Sequence, residues 1–93
     1  MKVHVKFRTI FREVFGMDEM ELDLDSGANI LSLLNILCDS QDRRAKIFDS
    51  SNTNLRRHVT ITKNGRFILH LNWLQTELFD GDKVEILMLA AGG

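Results

Sequence analysis

From Val3 to Phe11 the apolar and polar residues nearly alternate, with Val3, Val5, Phe7 and Phe11 set against Lys2, His4, Lys6 and Arg8. That period of two predicts a strand with one buried and one wet face. A second alternation, Met20, Leu22 and Leu24 against Glu19, Glu21 and Asp23, predicts a strand over 19–24. Gly16 lies between them where the chain must reverse, and Val14 and Phe15 are placed to pack beneath the turn. The two strands read as an antiparallel hairpin. The period then changes. Ile30, Leu33, Leu34 and Leu37 fall at i, i+3, i+4 and i+7, one apolar helical stripe, with Asn29 in front as an N-cap and Asp39-Ser40 behind as a stop. A shorter helix over 41–48 rests on Ala45 and Phe48 facing one way.

Alternation returns over 57–63, where Val59 and Ile61 oppose His58, Thr60 and Thr62. Asn64-Gly65 follows, a pair suited to the type I′ turn because both central residues need positive φ. Residues 66–69 are expected to return as a strand. Leu71, Trp73 and Leu78 anchor an irregular stretch, and Asp80-Gly81-Asp82 turns the chain into a last strand over 83–89. There Val84, Ile86 and Met88 occupy one side and Glu85, Leu87 and Leu89 the other. Apolar residues on both sides predict a central strand.

The order is β-β-α-(α)-β-β-β, an α+β chain. One helix after the first hairpin must cover a sheet face on which all the apolar sides meet. A mixed sheet grasping one helix, with the last strand parallel to the first in the middle, satisfies this: the β-grasp, or ubiquitin-like, fold. A ferredoxin-like split βαβ arrangement would need a second long amphipathic helix between the later strands.

The 93 residues, 44% hydrophobic and 27% charged, suit one globular domain with a core but little room for a deep cofactor cleft. A β-grasp domain over 1–89 followed by a flexible tail over 90–93 is the expected organisation. Twelve basic and thirteen acidic side chains give a net charge of −1, so no global field points to nucleic acid or to a membrane surface. Met1 to Lys6 interrupts each apolar residue with a polar one, unlike a signal-peptide core, and the apolar run Ile86–Ala91 is far short of a membrane span. The expectation is a cytoplasmic protein.

Candidate chemistry in the interior of the chain is sparse. One cysteine, Cys38, excludes an internal disulfide framework and a four-thiolate metal site, and at the apolar end of the helix it reads as a small hydrophobe. His4, His58 and His70 lack metal-ligand spacing, and no metal is expected. Glu19, Glu21, Asp23 and Asp25 read as a solvated strand face. The glycines at 16, 27, 65, 81, 92 and 93 form no phosphate loop. Arg43, Arg44, Lys46, Arg56 and Arg57 concentrate positive charge, but among acids and without interleaved aromatics.

The informative feature is the stretch Leu89-Ala90-Ala91-Gly92-Gly93 directly after a central strand. Glycines without Cβ atoms can thread a channel too narrow for other residues. Four extended residues reach about 13 Å, far enough to deliver a terminal carboxylate into another protein's active site. Ionised at neutral pH, that group is ready to attack the α-phosphate of ATP.

At this point the chain resembles the MoaD/ThiS family of prokaryotic ubiquitin-like sulfur carriers. The resemblance lies in Val5-Lys6-Phe7, in Phe11 to Gly16, in Asn29 to Leu34, in Ile61 to Arg66, in Leu78 to Val84 and in Gly92-Gly93. Length favours the MoaD side. Where family members often carry a proline pair before the tail, Leu87, Met88 and Leu89 stand instead. The resemblance implies that an ATP-dependent adenylyltransferase activates the Gly93 carboxylate. A sulfur donor then displaces AMP to leave a thiocarboxylate, which delivers sulfur to an acceptor such as the large subunit of molybdopterin synthase. Gly93 is thus the reacting residue, while Gly92, Ala91, Ala90, Leu89 and Leu87 form the partner-binding segment. The chain is a carrier rather than an enzyme, with no bound cofactor of its own. Two alternatives stay open: a modifier joined to lysines through Gly93, and a non-covalent β-grasp binding module.

Overall fold

The computed structural model describes residues 1–89. Strand β1 (Lys2–Phe7) leads through helix α1 (Phe11–Phe15) to β2 (Glu19–Asp23). Helices α2 (Ile30–Leu37) and α3 (Gln41–Ile47) follow, then β3 (Val59–Lys63) and β4 (Arg66–Phe67). Two 3₁₀ turns, Ile68–His70 and Trp73–Gln75, precede β5 (Lys83–Met88). The five strands form one sheet in the order β2-β1-β5-β3-β4. β5 runs parallel to β1 and antiparallel to β3, so the last strand is central, as its two-sided apolar pattern predicts. This is the β-grasp architecture, with β1 and β2 paired as the expected antiparallel hairpin.

Helix α2 starts where Asn29 places it. The Asn29 Oδ1 accepts from the Ser32 N–H at 2.9 Å, and the Ser32 hydroxyl accepts from the Asn29 N–H at 3.2 Å. This reciprocal capping box satisfies two backbone donors that a helix start otherwise strands. Ile30, Leu33, Leu34 and Leu37 are all buried and meet Val3, Val5, Phe7, Ile61, Val84 and Ile86 in the core. The Asn64-Gly65 turn has φ of 51° and 83°, the backbone a type I′ hairpin requires. Among the described residues no helix is long and apolar enough to cross a membrane.

Several expectations need correction. β1 stops at Phe7, and Phe11 lies in α1, where it and Phe15 are buried while Phe15 stacks on Phe7 with ring centroids 4.6 Å apart. Thr9, at φ 54°, turns the chain out of the sheet between them. Ala45 is exposed, and α3 instead turns Ile47 inward, with Phe48 buried just beyond it. β3 begins at Val59 rather than 57, because His58 is left-handed at φ 72°. β4 covers only Arg66 and Phe67; Ile68 then drops into the core and draws the chain into a 3₁₀ turn, leaving Leu69 outside.

Candidate functional site

The face of the sheet away from α2 carries the candidate site. One register row crosses all five strands: Glu19, Lys6, Glu85, Thr62 and Phe67. A second places Glu21, His4 and Lys83 side by side. The β2 half of this face is therefore charged and balanced. His4 Nε2 lies 3.5 Å from Glu19 Oε1, and Arg8 Nε donates to Glu85 Oε2. Towards β3 and β4 the face becomes apolar, with Thr60 opposite Leu87 and Phe67 half-exposed.

Leu87 and Leu89 differ more than the sequence suggests. Leu89 is 48% exposed, while Leu87 is partly buried. His4 and Lys6 lie beside Lys83 and Glu85, and Thr62, opposite Glu85, is buried. The short β4 creates a feature that sequence reasoning missed. Where it ends, a groove of about 350 Å³ opens at the β3 edge, lined by Val59, Phe67, Leu69, Trp73 and Leu89 among others. Leu69 is 70% exposed. The period of two would have placed Phe67 on this face, once its register against Thr62 was known; the 3₁₀ turn that exposes Leu69 carries no comparable signal.

The end of β5 is held from both neighbours. Arg8 N–H donates to the Ile86 carbonyl at 3.0 Å, Met88 N–H donates to Thr9 Oγ1 at 3.0 Å, and Leu89 N–H donates to the His58 carbonyl at 3.0 Å. Ala90, Ala91, Gly92 and Gly93, four of the expected site positions, lie outside the described residues.

At the opposite end of β5, Asp82 is buried and accepts from Asn64 Nδ2 at 2.9 Å and from the Phe79 N–H at 2.8 Å, with Lys63 Nζ 3.6 Å away. Desolvation pushes this carboxyl up, but the Asn64 amide, the Phe79 N–H and the Lys63 charge outweigh it and hold it below its ordinary value. Asn64 Oδ1 accepts in turn from the Lys83 N–H at 2.9 Å, tying the β3–β4 turn to the start of β5.

The remaining candidates are structural. Cys38 is buried, and burial pushes its thiol up to about 11, partly offset by Arg44 and Arg43; so protonated, it is a poor nucleophile. Arg43 bonds Asp39 and lies over the Phe15 ring, Arg44 lies over Phe48 and bonds Asn35 and Asn52, and Arg56 bonds the Ala45 carbonyl. These guanidinium groups pin α3 and its loop. His70 packs edge-on to Phe67. Among the described residues no three His, Cys, Asp or Glu side chains converge as a metal site would require.

The model of the ThiS family matches residues 5–93. Small archaeal modifier protein 3 of Haloferax volcanii is 32% identical over 94 residues, covering the whole of both chains. The solution structure of small archaeal modifier protein 1 from Methanosarcina acetivorans superposes with a TM-score of 0.79 at 30% identity, covering 99% of this chain and 96% of that one. A candidate molybdopterin converting factor, subunit 1, from Pyrococcus furiosus superposes with a TM-score of 0.72 at 27% identity, covering 97% and 99%.

Proposed function

The chain belongs to the ThiS family of small ubiquitin-like carriers and modifiers, and from that premise we propose that it carries sulfur on its Gly93 carboxylate. Members of this family are carrier proteins rather than enzymes. The observation that carries the reading is that the family match continues through Gly92 and Gly93, directly beyond a central strand. In the proposed sequence a Gly93 carboxylate oxygen attacks the α-phosphorus of ATP on an adenylating partner and pyrophosphate leaves. Hydrosulfide released by a sulfur donor then attacks the acyl carbon, AMP leaves and one proton is lost, so that a thiocarboxylate remains with no change of oxidation state. ATP is used by the partner, and this chain supplies the acyl group alone.

Docking falls to the apolar end of the open face. Leu87 and Leu89 contact the partner while Ala90, Ala91 and Gly92 thread Gly93 into its active site, a reach of about 13 Å when extended. A partly apolar patch rimmed by Arg8, Thr60 and His58 is the kind of surface partners use. The acceptor of the sulfur is the large subunit of a molybdopterin synthase; the similarity to the Pyrococcus furiosus chain supports that destination.

A second reading, conjugation of Gly93 to lysine, is favoured by the similarity to the Haloferax volcanii modifier protein. Both use the same acyl-adenylate and differ in the nucleophile that ends it. Mass spectrometry of the protein from its native cell separates them. Replacement of one C-terminal oxygen by sulfur is the outcome expected of the carrier. Lysine peptides branched with Gly-Gly, without any sulfur-bearing terminus, would establish the modifier instead. Finding neither would refute both.

A further inference from the structure

We infer that the Thr9 hydroxyl is a positioning residue for the chemistry at Gly93, because it stands in for the last rung between β1 and β5. The inference rests on the proposed role of Gly93. In a parallel ladder the residue that donates its N–H to one partner carbonyl accepts, through its own carbonyl, from the N–H two residues further along the partner strand. Arg8 donates to the Ile86 carbonyl, so its carbonyl is the regular acceptor for Met88 N–H. Thr9 occupies that rung instead. Its hydroxyl donates to the Arg8 carbonyl at 2.7 Å and accepts from Met88 N–H at 3.0 Å. The ladder thus passes through one inserted oxygen.

The backbone around this oxygen is strained. Thr9 is β-branched yet sits at φ 54°, and His58, whose carbonyl receives the next N–H from Leu89, sits at φ 72°. Side chains with a Cβ rarely adopt such angles, and residues held there cluster where function over-determines the geometry. Two such residues, one just past β1 and one just before β3, receive the N–H groups of Met88 and Leu89 at the end of β5. Between them they fix the direction in which the chain leaves Leu89. A tail that must present a carboxylate to a phosphorus atom depends on that direction, since reactivity falls steeply with small misplacements.

The test compares Thr9→Val, which keeps the branched shape and loses the hydroxyl, with Thr9→Ser, which keeps the hydroxyl. Thr9→Gly, unstrained at this φ, repeats the loss in a second background. Amide hydrogen exchange on each protein alone should show Met88 exchanging about five- to tenfold faster in the Val and Gly variants, with Val5 and Ile86 unchanged and the Ser variant normal. With the adenylating enzyme, radiolabelled pyrophosphate exchange into ATP should show a maximal rate about tenfold lower for Val and Gly, at an unchanged half-saturating concentration, and recovered in Ser. Unchanged Met88 exchange in both Val and Gly would overturn the inference. So would a full maximal rate, or a loss confined to the half-saturating concentration. If the wild-type chain itself supports no exchange, the Gly93 reading falls, and this inference with it.

Discussion

The two faces of β5 differ completely in what their side chains do, although they alternate along the same six residues. Val84 and Ile86 are wholly buried beneath α2, in contact with the β1 and β3 core residues. Glu85 and Leu87 face the other way, one bonded to Arg8 and the other opposite Thr60, with Leu89 exposed beyond them. A central strand can thus separate stability from recognition residue by residue, because a period of two sends neighbours into different environments. The closed face carries the core, and the open face can change its chemistry at little cost to that core.

The sharpest way to break this division is to substitute one residue on each face. Ile86→Ala should cost about 3 kcal/mol, since it opens a cavity in a site with no exposure, and should lower the urea midpoint accordingly. If instead its stability matched the wild type, the closed face would not carry the fold. Asp82→Asn comes next, at about 2 kcal/mol, because a buried acceptor of two bonds and a Lys63 contact loses its charge. Here the pH dependence fixes the sign. A carboxyl held below its ordinary 3.8 contributes stability that is complete well above that pH and is lost as pH falls through the lower folded value. Acid unfolding should therefore be less steep in Asp82→Asn than in the wild type, and equal slopes would deny Asp82 this role.

On the open face the expected loss is in binding. Leu87→Asp should leave the unfolding free energy from urea titration within about 1 kcal/mol of wild type and weaken adenylating-partner affinity by about tenfold or more, measured by calorimetric titration. Unchanged affinity in the folded variant would remove Leu87 from the docking surface. The smallest effect belongs to Cys38→Ala, a truncation of about 1 kcal/mol on the closed side. The wild-type thiol, raised from 9.0 to about 11, contributes stability that is present below 9.0 and lost as pH climbs through about 11. The Ala variant should lack that alkaline loss and should load sulfur normally. A folded variant that fails to load would reveal a thiol relay.

How far the chain could be read depended on whether one physical rule governed each segment. Asn29 with Ser32 caps α2 through local bonds, Asn64-Gly65 demands a specific pair of backbone angles, and Val84, Ile86 and Met88 recur at a period of two while Leu87 and Leu89 add apolar positions on the other side, so each signal has one interpretation. Phe7, Phe11 and Phe15 have none so clear. Their spacing of four satisfies both a strand period of two and a helical i, i+4 pair, and only Thr9, turning left-handed, ends β1 and lets Phe15 stack on Phe7. Ala45 shows a similar limit: helical spacing pairs it with Phe48, but the larger Ile47 takes the core position.

Periodicity and turn chemistry within the sequence thus determined the β-grasp order, the central place of β5 and the division of its faces, because those depend on near neighbours and on the burial of apolar area. Gly92-Gly93 and its context likewise stood in the sequence. The groove beyond β4, the carboxylate clip at Asp82 and the Thr9 oxygen inserted between β1 and β5 were decided only by the tertiary structure. Each depends on a contact between residues 18 or more positions apart, up to 79 for Thr9 and Met88, and which donor meets which acceptor there depends on how the strands come to rest against one another.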